Sequence, residues 1–205
     1  MRHLLFAVLA VTLACLSGSA FSADDKDEGW VQLFNGKDLT GWKTHPKAPG
    51  KWIVEKGILM GRGKNVSHLF SERGDYTDFH YRIEAKISDK GNSGQYFRTQ
   101  FGPGYPRGYE AQINSTFPDP QKTGSLYGFV RITEMLVPAD TWFTQEVIAK
   151  GNHIVIKVNG KKTVDYKDAK NTHTKGHFAI QQHGPAPGSD ESIIMLKKIE
   201  VKELK

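Results

Sequence analysis

The chain has 205 residues and a formal net charge of +6, from 28 Lys and Arg against 22 Asp and Glu. The basic residues are scattered and form no block, which argues against a nucleic-acid partner and indicates a solvated charged surface. The only cysteine is Cys15. Because it lies in a leader that export would remove, we expect no disulfide, cysteine nucleophile or zinc–thiolate site in the mature protein.

The first 28 residues have the composition of an export leader. A short basic start precedes an apolar run over residues 4–14, and small residues follow at 18–20 and 22. The run is well short of the roughly 20 residues that cross a bilayer, so it predicts a signal peptide over 1–22 and no membrane span. Residues 23–28 are an acidic leader, and we expect the protein in the periplasm or outside the cell. A lipid anchor on Cys15 is disfavoured because residues 12–14 fit the acylation signal poorly.

Short strand-like runs and frequent turns dominate residues 29–205. Alternating or β-branched runs occur at 52–54, 79–87, 145–149 and 153–158, whereas helical periodicity is scarce. Among the turn signals, Asn159-Gly160 predicts a hairpin over 154–164 with a primed turn. The pattern predicts an all-β protein with one domain over 29–205, built as a sandwich, a jelly roll or a barrel.

Two neighbouring strands carry polar side chains on one face. In the segment 109–114, alternation places Glu110, Gln112 and Asn114 on one face and apolar side chains on the other. Arg98 has the same parity as Tyr96 in the preceding strand. We therefore expect a cation, a carboxylate and amides to line one groove.

A late strand and two loops extend this groove. Gln181 and His183 share a face of the late strand by parity. Loops over 102–108 and 115–140 flank the strand of Glu110, and they carry Tyr105 and Tyr127 respectively. A loop as long as the second is uncommon in a compact domain unless it is functional or disordered. We expect the two loops to wall a cleft.

Several strings of residues resemble one known family. They are Leu-Phe-Asn-Gly-Lys-Asp-Leu-Thr-Gly-Trp at 33–42, Trp-Ile-Val-Glu at 52–55, Gly-Asn-Ser-Gly at 91–94, Tyr-Glu-Ala-Gln at 109–112 and Ile-Gln-Gln-His-Gly at 180–184. The chain thereby resembles the secreted bacterial 3-keto-disaccharide hydrolase domain, which includes 3-keto-glucoside 1,2-lyases and 3-keto-2-hydroxy-glucal hydratases. The resemblance implies a concanavalin A-like jelly-roll β-sandwich of two antiparallel sheets. For some relatives it also implies cleavage of glycosides whose sugar carries a 3-keto group.

The chain departs from the family pattern in three places. Asn114 stands where many relatives have an acidic residue, which puts a carboxylate-dependent metal site in doubt. Phe143 replaces the usual asparagine after Trp142, and Leu-Lys-Lys-Ile at 196–199 replaces Phe-Arg-Asn-Ile. The last two are expected to concern the fold more than the chemistry.

The implied chemistry assigns a role to each polar residue of the groove. A 3-keto group acidifies the hydrogen on C2, so a base can remove it and the enolate can expel the group on C1, after which water adds. We hypothesise that Glu110 and His183 form the acid/base pair and that Arg98 stabilises the enolate or holds the sugar. The residues expected to bind the substrate are Asn92, Gln112, Gln181, Tyr127 and Tyr105. An upstream sugar 3-dehydrogenase is the expected pathway partner, since it would supply the oxidised sugar.

These residues also have structural interpretations. Arg98 and Glu110 could form an ion pair that closes the sheet face, and His183 could cap a turn before Gly184-Pro185. The four tryptophans at 30, 42, 52 and 142 are expected mainly in the core.

The sequence is compatible with three functions: an enzyme that cleaves 3-keto-glycosides, a glycan-binding module and an ordinary glycosidase. A glycan-binding sandwich without chemistry is the main alternative to the enzyme. An ordinary glycosidase is disfavoured because it needs two carboxylates and only Glu110 is evident. No cofactor is firmly indicated, although a divalent ion held by Glu110 and His183 stays open because it could polarise the 3-keto oxygen. His173 and His177 are not expected to bind metal, since a turn-like segment separates them.

Overall fold

The computed structural model of the protein describes residues 29–205. The predicted signal peptide over 1–22, the anchor at Cys15 and the acidic leader at 23–28 lie outside these residues. Within the described part, no helix is long and apolar enough to cross a membrane.

Residues 29–205 form two antiparallel sheets. The eight-stranded sheet has the order β11-β10-β9-β6-β13-β4-β3, and β1 pairs with β13 off this path. Its strands are β1 (Val31–Gln32), β3 (Lys51–Glu55), β4 (Ile58–Gly63), β6 (Phe79–Ile87), β9 (Phe143–Lys150), β10 (His153–Val158), β11 (Lys161–Lys167) and β13 (Ser192–Glu203). The five-stranded sheet has the order β2-β5-β12-β7-β8. Its strands are β2 (Trp42–Thr44), β5 (Ser67–Ser71), β7 (Ser93–Thr99), β8 (Tyr109–Ile113) and β12 (His177–Gln182).

The two sheets enclose an apolar core between them. Strand β6 alternates buried and half-buried residues along its whole length, with Phe79, Tyr81 and Ile83 turned inward. In the other sheet, Tyr109 and Ile113 of β8 belong to the same core. Because side chains alternate across a strand, each sheet keeps one face for the core and one for solvent or a site. The predicted all-β sandwich of two antiparallel sheets is confirmed.

The hairpin predicted over 154–164 is present. Strands β10 and β11 pair in antiparallel register, and Asn159 and Gly160 connect them with φ angles of 49° and 78°. Positive φ at both central residues is the geometry of a primed two-residue turn, which Asn-Gly adopts at low cost. The turn chemistry in the sequence was therefore sufficient to predict this element.

The four tryptophans divide between the core and the outer surface. Trp42 is buried in the core, and Trp52 is partly buried against it. Trp30 and Trp142 instead lie under cations, with the guanidinium of Arg82 4.3 Å from the Trp30 ring and the ammonium of Lys197 4.1 Å from the Trp142 ring. The core prediction was right for the first two and wrong for the other two, whose rings stack with long basic side chains instead.

A bulge interrupts β7 at Arg98. Tyr96 is paired with Ala179 of β12, whereas Thr99 is paired with His177, so β7 contains one extra residue between the two pairs. Arg98 has a φ of 48°. An extra residue in one strand re-aims the side chains around it, and this shift places Arg98 off the face that Tyr96 occupies.

Candidate active site

One cavity of about 430 Å³ opens on the face of the five-stranded sheet that points away from the core. Strands β7, β8 and β12 supply its floor, and the loops at 100–108 and 114–142 supply its walls. Seven of the eight predicted site residues line it: Asn92, Tyr105, Glu110, Gln112, Tyr127, Gln181 and His183. The prediction that two loops wall a cleft beside Glu110 is confirmed.

Glu110 lies on the floor of the cavity beside a glycine that makes room for it. It is the β-ladder partner of Tyr96, and Gly94 lies two residues earlier on β7. A Cβ atom at Gly94 would overlap the Glu110 carboxylate. The glycine is therefore needed for close approach of the Glu110 side chain to the sheet.

Gly94→Ala tests this packing. We expect a loss of about 1–3 kcal/mol in the free energy of unfolding, since an added methyl forces its neighbours apart in a close-packed site. Any activity that depends on the position of Glu110 should fall with it. The matched control is Gly102→Ala, because a Cβ there meets no atom within 4 Å. Equal denaturation curves and equal activities for the two variants would contradict the packing argument.

The surroundings of Glu110 keep its carboxyl group largely protonated at neutral pH. Burial raises the pKa of Glu110 to about 8, and the nearby Asp119 carboxylate acts in the same direction. A hydrogen bond from the Tyr96 hydroxyl opposes the shift. The Gln112 amide is oriented with its nitrogen toward two acceptors. In this orientation Nε2 donates to Glu110 Oε1 at 3.0 Å and to Ser93 O at 2.9 Å. A carboxyl group in this state can give up a proton at neutral pH.

This raised pKa predicts a pH dependence of stability. Glu110 titrates near 4.5 in the unfolded chain and near 8 in the folded protein, so between these values the folded state holds the proton more tightly. Its contribution to stability is therefore full below pH 4.5 and declines as the pH rises to about 8, by roughly 1.4 kcal/mol per pKa unit. Urea denaturation at pH 5 and pH 8.5 should show a larger decline for the wild type than for Glu110→Gln. Equal declines would contradict the shifted pKa.

Three buried side chains form a hydrogen-bonded row next to Glu110. Gln181 donates from Nε2 to the Tyr96 hydroxyl at 3.0 Å and lies 3.4 Å from His68 Nε2. Because the Tyr96 oxygen accepts from Gln181, its single hydrogen is directed to Glu110. Burial lowers the pKa of His68 to about 3, so His68 stays neutral and its Nε2 can accept.

Sequence analysis missed Tyr96 and His68 as site residues. Each is the neighbour in sequence of a core residue, Phe97 for Tyr96 and Leu69 for His68. Because side chains alternate along a strand, Tyr96 and His68 therefore lie on the outer face of β7 and β5. The missing information was the strand order, which brings β5 next to β12 and therefore His68 opposite Gln181.

His183 follows β12 directly and presents one ring nitrogen to the cavity. Its Nδ1 hydrogen-bonds to Gly184 O at 2.7 Å, so Nδ1 carries the hydrogen and Nε2 has the free lone pair. The Tyr105 hydroxyl lies 3.0 Å from this Nε2 and donates to it. Tyr105 is 65% exposed, so its hydroxyl contact is made from the solvent side of the cavity.

The long loop places a second carboxylate in the cavity. Asn114 donates from Nδ2 to the backbone oxygens of Asp119 and Gln121 at 3.0 and 2.9 Å, which holds this turn against β8. The Tyr127 hydroxyl donates to Asp119 Oδ2 at 2.8 Å, and this bond raises the pKa of Tyr127 to about 12. Asp119 was missed because Pro118 and Pro120 flank it and the loop has no periodicity. The argument that Glu110 is the only evident carboxylate is therefore wrong.

The profile of the 3-keto-α-glucoside-1,2-lyase-like domain matches residues 29–202 of the chain. This match includes both sheets and every residue that lines the cavity. The chain belongs to this family. Among proteins with curated functions, none is significantly similar in sequence.

Solved structures similar to this lyase-like domain confirm the concanavalin A-like fold. A proposed glycosyl hydrolase from Parabacteroides distasonis is 26% identical with a TM-score of 0.73, and the match covers 88% of this chain and 96% of that one. The carbohydrate-binding module CBM66 of Bacillus subtilis has 17% identity and a TM-score of 0.56, with 78% and 94% covered. The β-glucanase of Bacillus licheniformis has 15% identity and a TM-score of 0.63, with 85% and 97% covered. The last two, below 25% identity, show the fold alone.

Arg98 of the lyase-like domain does not reach the cavity. It is 1% exposed, and its guanidinium donates to the backbone oxygens of Thr77, Gly151 and His173 and to the carboxylate of Asp78. The expectation that Arg98 shares a groove with Glu110 is wrong, and so is the alternative of an ion pair between them. The β7 bulge explains both errors. An extra residue in a strand changes the face on which the following side chains lie, so counting alternate residues from Tyr96 gives the wrong face for Arg98.

The donor groups of the cavity do not fit a divalent ion. In residues 29–205, no group of three or more His, Cys, Asp or Glu side chains is placed to hold a metal. The Nδ1 of His183 and both carboxylate oxygens of Asp119 already have protein partners. Elsewhere, His173 packs edge-on against Tyr109, and His177 Nδ1 hydrogen-bonds to Ser71 O. The proposed chemistry therefore uses no metal.

Proposed function

We propose that this protein cleaves 3-keto-glycosides by elimination followed by hydration. The observation that carries the proposal is the pair of groups in one cavity, a carboxyl with a pKa of about 8 at Glu110 and a ring nitrogen with a free lone pair at His183. An acid and a base that face one cavity are what an elimination requires. Membership of the lyase-like family supports this assignment.

The first step removes the hydrogen on C2. His183 Nε2 accepts this proton, and the C–H electron pair forms the enolate of the 3-keto group. The Tyr105 hydroxyl has to leave Nε2 when substrate binds, which its exposed position allows. Asn92 lines the cavity, and no residue in 29–205 hydrogen-bonds its side-chain amide. In this proposal that amide donates to the enolate oxygen, the role first given to Arg98.

The second step expels the group on C1. The enolate electrons form the C1–C2 double bond while the C1–O bond breaks, and protonated Glu110 gives its proton to the departing oxygen. Water then adds at C1 of the unsaturated product and a proton returns to C2, which yields the free 3-keto sugar. Gln112 and Gln181 use their amide nitrogens within the protein, so their contribution to sugar binding is through Oε1.

An ordinary glycosidase is a second candidate, because Asp119 lies in the same cavity. A protonated Glu110 beside a carboxylate at Asp119 is the acid and base or nucleophile pair of such enzymes. A glycan-binding module without chemistry is the third, and the exposed rings of Tyr105 and Tyr127 at the rim favour it.

One experiment separates the three. The protein is incubated with 3-keto-trehalose and, in parallel, with trehalose, and products are followed by mass spectrometry with and without a chelator. Release of 3-keto-glucose or its 2-hydroxy-glucal from the oxidised sugar alone supports elimination. Cleavage of trehalose as well would support the glycosidase, and binding without turnover would support the module. Loss of turnover with chelator would contradict the metal-free route.

The remaining predictions concern the cellular setting. We propose that the signal peptide over 1–22 directs export and that residues 29–205 act as one domain after the leader at 23–28. A lipid anchor at Cys15 is not part of this proposal. An upstream sugar 3-dehydrogenase would supply the substrate, because trehalose and similar sugars carry a hydroxyl on C3.

A further inference from the structure

A second cavity, of about 490 Å³, collects basic side chains from the β3–β4 hairpin and the residues that flank it. It lies between the segment at 47–50, the facing ends of β3 and β4, and the end of β12. Four cations line it: Lys47, Lys51, Arg62 and Lys64. Such a concentration of positive charge against a concave wall attracts anions.

One of the four cations has an ion-pair partner in residues 29–205, and the charge of Lys51 also acts on that partner, Glu191. Arg62 pairs with Glu191, donating from Nε to Oε2 at 2.9 Å. The ammonium groups of Lys47, Lys51 and Lys64 form no ion pair or hydrogen bond with any residue in 29–205. In addition, Lys51 and Arg62 are direct ladder partners on β3 and β4. Like charges directly opposite each other destabilise a sheet, and the Glu191 carboxylate offsets part of this repulsion.

The walls of the cavity are held in place by buried polar groups. Ser67 donates to Ala48 O at 2.9 Å and accepts from Trp52 Nε1 at 3.1 Å, which fixes the 47–50 segment. Gln182 is 1% exposed and donates from Nε2 to Gly63 O and His183 O. No residue in the described part of the chain donates to Gln182 Oε1. This oxygen can therefore accept a hydrogen bond from a ligand hydroxyl.

We propose that the second cavity binds an acidic sugar unit, whose carboxylate or sulfate contacts Lys51 and Lys64 and whose hydroxyl donates to Gln182 Oε1. The combination of cations with a buried acceptor suits an anion that also carries hydroxyl groups. Gln181 and His183 line the first cavity while Gln182 between them lines the second. An acidic unit of a glycan therefore binds next to the first cavity. Binding here does not depend on the proposed chemistry.

Calorimetric titration with matched sugars tests the site. The probes are cellobiouronic acid, glucose 6-sulfate, neutral cellobiose and inorganic sulfate. We expect at least one acidic sugar to bind about tenfold or more tightly than cellobiose, with affinity that falls as salt is raised. The two acidic probes distinguish a carboxylate site from a sulfate site. Inorganic sulfate binding as tightly as either sugar would overturn the saccharide assignment.

A pair of double variants locates the binding. Lys51→Gln/Lys64→Gln should weaken the acidic sugar about tenfold, whereas the control Lys161→Gln/Lys167→Gln, on the exposed strand β11, should not. Thermal melting of the first variant should change little, because the variant removes both the repulsion of Lys51 with Arg62 and its attraction to Glu191. Wild-type affinity in the first variant, or equal losses in both, would overturn the proposal. Unchanged turnover of 3-keto-trehalose in the first variant keeps this result separate from the proposed function.

Discussion

Glu110→Gln is expected to lower the turnover of a 3-keto-glycoside by about 100-fold to 10,000-fold while the fold is retained. The amide has nearly the same shape as the protonated carboxyl group that burial favours at this position. It cannot deliver a proton to the departing oxygen, and general acid catalysis is typically worth this range of rate. Single-turnover kinetics and urea denaturation of the same preparation measure the two effects.

The control for this variant is Glu55→Gln, on the exposed end of β3 outside the cavity. It should leave both turnover and stability close to wild type. Substrates with good leaving groups, such as a 3-keto-glucoside of nitrophenol, should recover part of the loss in Glu110→Gln, since they need less protonation. Full activity on 3-keto-trehalose together with unchanged melting would remove Glu110 from the mechanism.

Arg98→Met is expected to cost about 3–5 kcal/mol in the free energy of unfolding. Arg98 is 1% exposed, and removal of its guanidinium leaves the backbone oxygens of Thr77, Gly151 and His173 without this donor, whereas Asp78 keeps the Gly151 N–H. A buried acceptor left unsatisfied costs about 1–3 kcal/mol, so three of them account for a loss of this size. Chemical denaturation at low temperature measures the change.

Two further variants make the Arg98 result interpretable. Arg98→Lys should lose less stability, because an ammonium keeps the charge but lacks the planar fork that reaches several acceptors. Arg131→Met, at an exposed loop position, should change little. If folded Arg98→Lys kept wild-type stability but lost turnover, Arg98 would be restored to the chemistry. Reduced stability with normal turnover per folded molecule is the expected result.

The fold was predictable because its signals are local. Alternation in β6 and the Asn159-Gly160 turn each act within a few residues, and both appear in the structure as expected. The strand order was not predictable from these signals, because the partners of β5 and β12 are far apart in sequence. The packing of a tryptophan also depends on what lies across from it, as Trp142 under Lys197 illustrates.

The site was only partly predictable for the same reason. Glu110 and Gln112 were found by parity, since β8 is regular from end to end. The same rule failed at Arg98, where one extra residue redirected a cation from the groove to the edge of the core. It could not apply at all to Asp119, whose position depends on Asn114 and on the path of a loop.

From local order alone, the chain specifies strands, turns and the side chains that share a strand face with Glu110, because side-chain alternation and turn conformation are properties of neighbouring residues. Sheet pairing decides the rest. It brings His68, Gln181, Tyr96 and Glu110 into one hydrogen-bonded row across four strands, and the resulting burial raises the pKa of Glu110 to about 8. Desolvation depends on every atom around a group, so it exists only in the folded protein. The second cavity combines both origins, since its basic residues come from the local β3–β4 hairpin whereas Gln182 reaches them only through the pairing of distant strands.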